Sequence, residues 1–333
     1  MIIVRAPLRI SLGGGGTDLP FYAENKGGSL IAATINRYIY VTVHRRLIDD
    51  LIWLSYSERE AQKDVNEVKH HLIRESLKLA GISSAVEIHS MTKLHERTGL
   101  GGSSTFLVAL LQALYAYKGL EVTKEKLAHD ATHIERIILQ NEGGIQDQYI
   151  AAHGGFCAIE NKSLTDVKVF RLDLPSTTIE KLSQNLLLFY TGVKRSSSEI
   201  VKAQTEENKP EEVIAFYDNI KNIGFKAKQA LFDNNLDSFG KTFHEHWMLK
   251  REFTQKMTND NFDLIYEQAL ENGALGGKII GAGGGGYFLF YVPENQEKFC
   301  AKMKELNMIQ VKFNFDLEGV KIILNENMDK AAE

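Results

Sequence analysis

Three glycine runs in this chain lie beside the residue types that phosphate chemistry uses: a guanidinium, carboxylates and serine hydroxyls. The first, Gly13 to Gly16, lies within Ala6-Pro7-Leu8-Arg9-Ile10-Ser11-Leu12-Gly13-Gly14-Gly15-Gly16-Thr17-Asp18, with a cation on one side and a carboxylate on the other. The second, Gly99-Leu100-Gly101-Gly102-Ser103-Ser104-Thr105, opens directly into the apolar run Phe106-Leu107-Val108-Ala109. The third, Gly281-Ala282-Gly283-Gly284-Gly285-Gly286, follows Gly276-Gly277-Lys278-Ile279-Ile280 and precedes the aromatic run Tyr287–Tyr291. Glycine lets backbone approach a ligand closely, and the free N–H groups of a helix's first turn carry partial positive charge. The second run, at a predicted helix start, therefore reads as an anion cradle.

Two familiar phosphate motifs are excluded by their wording. No Gly-Lys-Ser/Thr follows the second run, so it is not a Walker A loop, and the third glycine of a dinucleotide-binding turn is missing. Taken singly, each run has a structural alternative: a turn capping a buried helix, a surface arginine with a capping aspartate, or a tight turn against neighbouring backbone. Three such runs in one chain are harder to explain that way. A further polar constellation, Thr191-Gly192-Val193-Lys194-Arg195-Ser196-Ser197-Ser198, sets two cations beside hydroxyls just after a predicted strand, which suits a phosphate.

The elements that must position these residues alternate between strand and helix. Ile2–Val4 and Arg9–Leu12 read as strands, Ser29–Arg46 as a long β-rich stretch, Val65–Ala80 as helical and Ala85–His89 as a strand. Ser103–Tyr117 is apolar nearly all round, hence a buried helix, and Lys124–Leu139 is an amphipathic one. A strand at Phe156–Ile159 precedes the polar stretch Asn161–Asp166, read here as a domain boundary. Beyond it come a strand at Leu186–Tyr190, helices over Pro210–Phe232 and Leu236–Lys256, a helix ending at Gly273 and a strand at Tyr287–Val292. The pattern is α+β in two domains, 1–160 and 161–333, with the glycine runs brought together between them.

Composition narrows the partners. With 333 residues, a net charge of −4 and no long apolar run, the chain offers neither the basic field of a nucleic-acid binder nor a membrane span. Its start reads as a first strand rather than a signal peptide, and Cys157 and Cys300 lack metal or disulfide spacing, so a reducing, cytoplasmic setting is expected. His129 and His133, spaced i, i+4, and His244-x-His246 have no third ligand or HExxH context, and read as satisfied helix-surface histidines. Self-association is left open.

In this order and separation the three runs resemble the three motifs of the GHMP kinases, the family of galactokinase and of homoserine, mevalonate and phosphomevalonate kinases. The first run, taken with Gly143-Gly144-Ile145-Gln146-Asp147-Gln148-Tyr149, most resembles the branch acting on D-glycero-D-manno-heptose 7-phosphate, with L-fucokinase domains the nearest rival. Galactokinases carry an acidic residue and a histidine where this chain has Gly15 and Gly16, a departure that favours a bulkier acceptor.

The resemblance implies an N-terminal domain like ribosomal S5 domain 2 and a ferredoxin-like C-terminal one, with the active site between. It implies an ATP- and Mg²⁺-dependent kinase acting on a small-molecule sugar phosphate, at the anomeric hydroxyl, toward nucleotide-activated heptose for surface polysaccharide. It maps Asp147 onto the catalytic base and Arg9 onto its cationic neighbour, and makes Ser104 and Glu135 the magnesium-binding pair, with Glu142 as the other candidate ligand. Gly99 to Thr105 would cradle ATP phosphates, with Gly283 and Gly284 closing the nucleotide side. Gly15, Gly16, Thr17 and Asp18 would face the sugar, and Lys194 and Arg195 would take its phosphate. A catalytically silent sugar and nucleotide sensor on the same scaffold is the competing class, and it would need neither base nor metal ligand.

Overall fold

The computed structural model describes residues 1–92, 99–194, 207–253 and 257–326. The first sheet is built on strands β1 (Ile2–Gly13) and β2 (Gly28–Arg45), which pair antiparallel along most of their length. The sequence suggested two short strands where β1 runs unbroken. Pro7 is accommodated because the register shifts between Pro7 and Leu8, the sort of irregularity at which a strand tolerates a residue without an N–H. Between β1 and β2 lies the short helix α1 (Pro20–Lys26).

Strands β3 (Ile52–Ser55), β4 (Arg59–Gln62) and β5 (Val86–Thr92) extend the sheet beyond β2. The stretch expected as one helix over Val65–Ala80 is divided into a 3₁₀ turn at Val65–Glu67 and helix α2 (His71–Leu79). Two side-chain caps account for the division: Asp64 accepts from the Asn66 N–H, and His70 Nδ1 from the Ile73 N–H.

Helix α3 (Gly102–Tyr117) lies buried on most sides, as its apolar composition requires, and starts where Gly101 adopts a left-handed φ of 78°. Helix α4 (Lys124–Thr132) continues into a π-helical turn, His133–Ile138, rather than running as one α-helix to Leu139. Helix α5 (Gln146–His153) then leads into the hairpin of β6 (Phe156–Asn161) and β7 (Val167–Arg171).

The expected boundary falls within that hairpin. Asn161–Asp166 is its turn, closed by a Lys162 N–H to Asp166 carbonyl bond of 2.9 Å, and β6 pairs with β2 in the first sheet. The chain's far end also returns there: β12 (Lys321–Asn325) pairs antiparallel with β1. The first sheet therefore draws on both ends of the sequence, and only the intervening stretch builds the second.

After α6 (Ser176–Asn185), strand β8 (Leu186–Tyr190) opens the second sheet. It is followed by helices α7 (Pro210–Phe232), α8 (Leu236–Phe253) and α9 (Asp260–Glu271), strands β9 (Gly276–Ile279) and β10 (Tyr287–Tyr291), α10 (Gln296–Glu305) and β11 (Ile309–Gln310). The sheet is antiparallel in the order β11-β8-β10-β9, the ferredoxin-like arrangement of the α+β class. Its aromatic core is built from Phe189, Trp247, Phe262, Tyr266, Phe288 and Phe290. A smaller cluster joins Leu19 and Tyr22 of the first sheet's side to Phe216, Tyr217 and Met257 of the second, so the helices of the second half close over the first glycine run.

Candidate active site

All three glycine runs meet at one cavity of about 1190 Å³ between the two sheets. The Arg9 N–H donates to the Leu100 carbonyl, tying the second run to β1. A Cβ at Gly99 would stand 2.5 Å from the Ile280 carbonyl oxygen, so only glycine lets the second run lie against the third.

Arg9 is almost fully buried and grips Asp147 with both arms of its guanidinium: Nε donates to Oδ1 at 2.6 Å and Nη2 to Oδ2 at 2.9 Å. A fork-on-fork pair of this kind fixes the carboxylate in orientation as well as in charge. Arg9 Nη1 also donates to the Gly99 carbonyl, joining the pair to the cradle. The Asp147 side chain keeps 20% exposure toward the cavity, which a group that must meet a substrate needs.

Asp18 is 4% exposed and accepts from the Gln146 N–H at 2.9 Å and the Gly16 N–H at 3.2 Å. Burial, and secondarily the nearby Asp147 carboxylate, push its pKa upward. Gly144 makes room for it: a Cβ there would fall 1.9 Å from Asp18 Oδ2. Beside Gly15, Ser11 Oγ and Gln146 Oε1 line the same wall, buried and without a hydrogen-bond partner among the described residues. Buried polar atoms without partners are rare, and these two face the space that a polar ligand would fill.

Glu135 stands on the π turn, where the wider coil turns its side chain to the start of α3. It is 3% exposed and accepts from Ser104 Oγ at 2.6 Å, Ser103 Oγ at 3.1 Å and Gln148 Nε2 at 2.6 Å. Ser104 Oγ and the Glu135 carboxylate thus form an all-oxygen pair on the cavity wall, the donor chemistry that suits a hard divalent cation. The Arg136 guanidinium lies 3.7 Å from Glu135 Oε1 and holds the carbonyls of Asn141, Glu142 and Gly144, fixing the loop before α5.

Several residues chosen from the sequence stand apart from this wall. Thr17 is fully buried, its hydroxyl donating to the Gly14 and Ser29 carbonyls, so it shapes the first run from behind. Thr105 is likewise buried within α3. Gly283 and Gly284 pack on Met257, and the residues of the third run that reach the cavity are Gly281 and Ala282. Lys194 is exposed and does not line the cavity, and Arg195 lies outside the described residues.

Three cationic or titratable side chains that sequence reasoning did not place here form the opposite wall: His246 and Lys250 of α8 and Lys278 of β9. His246, read from its spacing as a surface histidine, is 2% exposed, with neither ring nitrogen hydrogen-bonded among the described residues. Lys250 Nζ donates to the Gly281 carbonyl at 2.8 Å, and Lys278 Nζ to the Leu12 carbonyl at 3.2 Å, over the face of Phe243. Burial, and then Arg9, push the Lys250 pKa down to about 8; burial, and then Lys250 and Arg9, push Lys278 well below the ordinary lysine value. The available signal was faint: His246 and Lys250 share a helix face at i, i+4, and Lys278 interrupts an otherwise apolar strand.

Elsewhere, among the described residues, His44, Glu87 and His89 cluster on the first sheet, but Arg46 Nη1 already holds Glu87 Oε2 at 2.6 Å. No helix among those residues is long and apolar enough to cross a membrane.

Comparison with known proteins identifies the family. The family model described as GHMP kinases N terminal domain matches residues 65–155, and that of GHMP kinases C terminal matches 227–307. The chain is 30% identical to the D-glycero-alpha-D-manno-heptose 7-phosphate kinase of Campylobacter jejuni, over 96% of this chain and 98% of that protein. It is 26% identical to the mevalonate kinase of Thermococcus sibiricus, over 78% of this chain and 74% of that protein. Among solved structures, a putative sugar kinase from Campylobacter jejuni superposes with a TM-score of 0.75 at 28% identity, over 96% of this chain and 97% of that one. A D-glycero-D-manno-heptose 1-phosphate kinase from Bacteroides thetaiotaomicron superposes with a TM-score of 0.80, over 97% and 99%; at 24% identity that likeness concerns the fold. The chain belongs to the GHMP kinase family. Within it, the protein is an ATP-dependent sugar kinase.

Proposed function

We propose that the protein transfers the γ-phosphoryl group of ATP to the anomeric hydroxyl of D-glycero-D-manno-heptose 7-phosphate, giving the 1,7-bisphosphate and ADP for nucleotide-activated heptose. The observation that carries the chemistry is the two-armed Arg9–Asp147 pair, partly open to the cavity and joined to the glycine cradle through Gly99. The near full-length similarity to a heptose 7-phosphate kinase supports the acceptor. The relatives' names disagree on which carbon bears the phosphate, and both describe a heptose phosphate as the acceptor.

Asp147 orients the acceptor hydroxyl and takes its proton as the oxygen attacks the γ-phosphorus; the bond from that phosphorus to the bridging oxygen breaks, and ADP leaves with the electron pair. Arg9 holds Asp147 in the attacking geometry and offers positive charge to the moving group. Backbone N–H groups at the start of α3, from Gly102 on, receive the polyphosphate. Ser104 and Glu135 would hold Mg²⁺, which neutralises phosphate charge when bound. Asp18, Ser11 Oγ and Gln146 Oε1 receive sugar hydroxyls, and Gly15 and Gly16 leave the space for them. The apolar end lined by Ile39, Leu72, Met91 and Phe106 takes the adenine ring.

The test is an ADP-release assay with heptose 7-phosphate, L-fucose, galactose and mevalonate as acceptors. Saturation at low concentration with heptose 7-phosphate alone is expected. Tighter saturation by another acceptor would move the substrate, and ADP release with none of them would point to a sensor.

A further inference from the structure

Two lysines and a histidine buried on one wall without a carboxylate are physically expensive. Lys250 is 7% exposed, and Lys278 and His246 are 2% exposed each, yet no carboxylate oxygen lies within 4.0 Å of either lysine among the described residues. Moving an ammonium from water into protein costs several kcal/mol unless an opposite charge compensates it. Among the described residues the partners are two backbone carbonyls, Gly281 and Leu12, which leave most of the six ammonium protons unclaimed. The carboxylate that neighbouring Arg9 brings with it, Asp147, is already committed to both arms of that guanidinium.

The wall's position narrows what completes it. Lys278 reaches the carbonyl just before the first glycine run, and Lys250 the carbonyl that opens the third. Both lie near Arg9, on the side of the cavity closed by α7 and α8 and shared with Phe216, Tyr217 and Asp18. Ser103, Ser104 and Glu135 stand at the other run, on the nucleotide side. The cations therefore face the acceptor and the point of transfer rather than the polyphosphate cradle.

We infer that Lys250, Lys278 and His246 form a second anion site, distinct from the glycine cradle, that holds a phosphate dianion. A phosphate supplies several acceptor oxygens and two negative charges, enough to satisfy both ammonium groups and one histidine N–H together. Two sources share this chemistry: a phosphate already on the acceptor, and the phosphoryl group in transfer. The first source rests on the heptose 7-phosphate reading; the site itself does not. In the first case, the buried wall and not the exposed Lys194 recognises the substrate's phosphate.

The experiment is a calorimetric titration with inorganic phosphate, with ADP and Mg²⁺ present to fill the cradle, on the native protein, Lys250→Met and Lys250→Arg. Methionine matches the volume without the charge, so the variant is expected to fold, and a thermal melt checks it. Loss of a charge-assisted hydrogen bond predicts roughly tenfold or greater weakening of phosphate binding in Lys250→Met, with recovery in Lys250→Arg. Native protein that binds no phosphate under these conditions, or a methionine variant that binds it equally, overturns the inference.

Kinetics then separate the sources. With heptose 7-phosphate, a KM raised about tenfold at nearly constant kcat assigns the acceptor's phosphate, whereas an equal fall in kcat and kcat/KM assigns the transferred group. If native enzyme turns over no sugar phosphate, the heptose reading fails, while the phosphate titration still decides the site.

Discussion

On the wall built by the first sheet, Asp147, Asp18 and Glu135 each accept two or more hydrogen bonds from the protein, whereas on the α8–β9 wall, among the described residues, Lys250 and Lys278 each reach one backbone carbonyl and His246 none. The carboxylate wall is preorganised: its groups are fixed before any ligand arrives, as orientation-dependent chemistry demands. The cationic wall is incomplete by itself, and its desolvation cost is offset only when an anion enters. One side of the cleft therefore sets geometry and the other supplies binding energy.

The largest effect should come from removing the proposed general base on the fixed wall. Asp147→Asn keeps the shape and one arm of the Arg9 contact, and turnover should fall about 10³-fold or more, since general-base catalysis contributes roughly 10²–10⁴ and the arginine loses its partner as well. Nucleotide affinity, measured by equilibrium titration, should stay within about threefold. Near-native turnover would remove the functional distinction between the walls.

A smaller effect follows from disturbing the same wall through its backbone. In Gly144→Ala the new Cβ would meet Asp18 Oδ2 at 1.9 Å, so the carboxylate must leave its two N–H donors. Unfolding in urea should show a loss of about 1–3 kcal/mol, and acceptor KM should rise while ATP binding persists. An unchanged KM would mean that Asp18 does not meet the sugar.

How each wall could be read from the sequence follows the same division. Arg9, Asp18 and Ser104 are legible because they lie in or beside glycine runs, and a glycine run signals backbone that must approach something closely, whereas Asp147 is singled out by the family resemblance. Glu135 depended on the family resemblance, and its delivery by a π turn could not be foreseen, because Lys124–Leu139 has the periodicity of an ordinary helix. Lys250 and His246 were illegible for a stronger reason: a polar pair at i, i+4 on an amphipathic helix normally faces water, and only the packing of α8 against β9 and the first sheet turns that face inward. The return of β12 to β1 was equally hidden, since strand pairing across the whole chain leaves no local mark.

Stability should respond in opposite directions on the two walls. Lys278→Met replaces an uncompensated buried ammonium by an apolar chain over Phe243, and exchanging buried charge for packed apolar volume is often stabilising by about 1–4 kcal/mol. The variant should therefore unfold at higher urea than the native protein in phosphate-free buffer, and the gap should narrow when phosphate is added. A variant less stable than native would mean that Lys278 already has its compensation within the protein.

The smallest effect is a pH dependence that belongs to the cationic wall alone. Lys250 faces Arg9 of β1 and Lys278 of β9, with His246 one turn away on its own helix, and it titrates near 8. In the unfolded chain a lysine titrates near ~10.4, so between those values the unfolded state binds the extra proton. Stability must then rise with pH across roughly pH 8 to 10, by up to about 1.4 kcal/mol per pH unit from this group. Subtracting the same curve for Lys250→Met isolates the contribution from that of the tyrosines, whose raised values act in the opposite sense above pH ~10. Bound phosphate would hold the ammonium charged and flatten the difference, whereas a flat difference in phosphate-free buffer would show that Lys250 is not under the electrostatic pressure that sets the two walls apart.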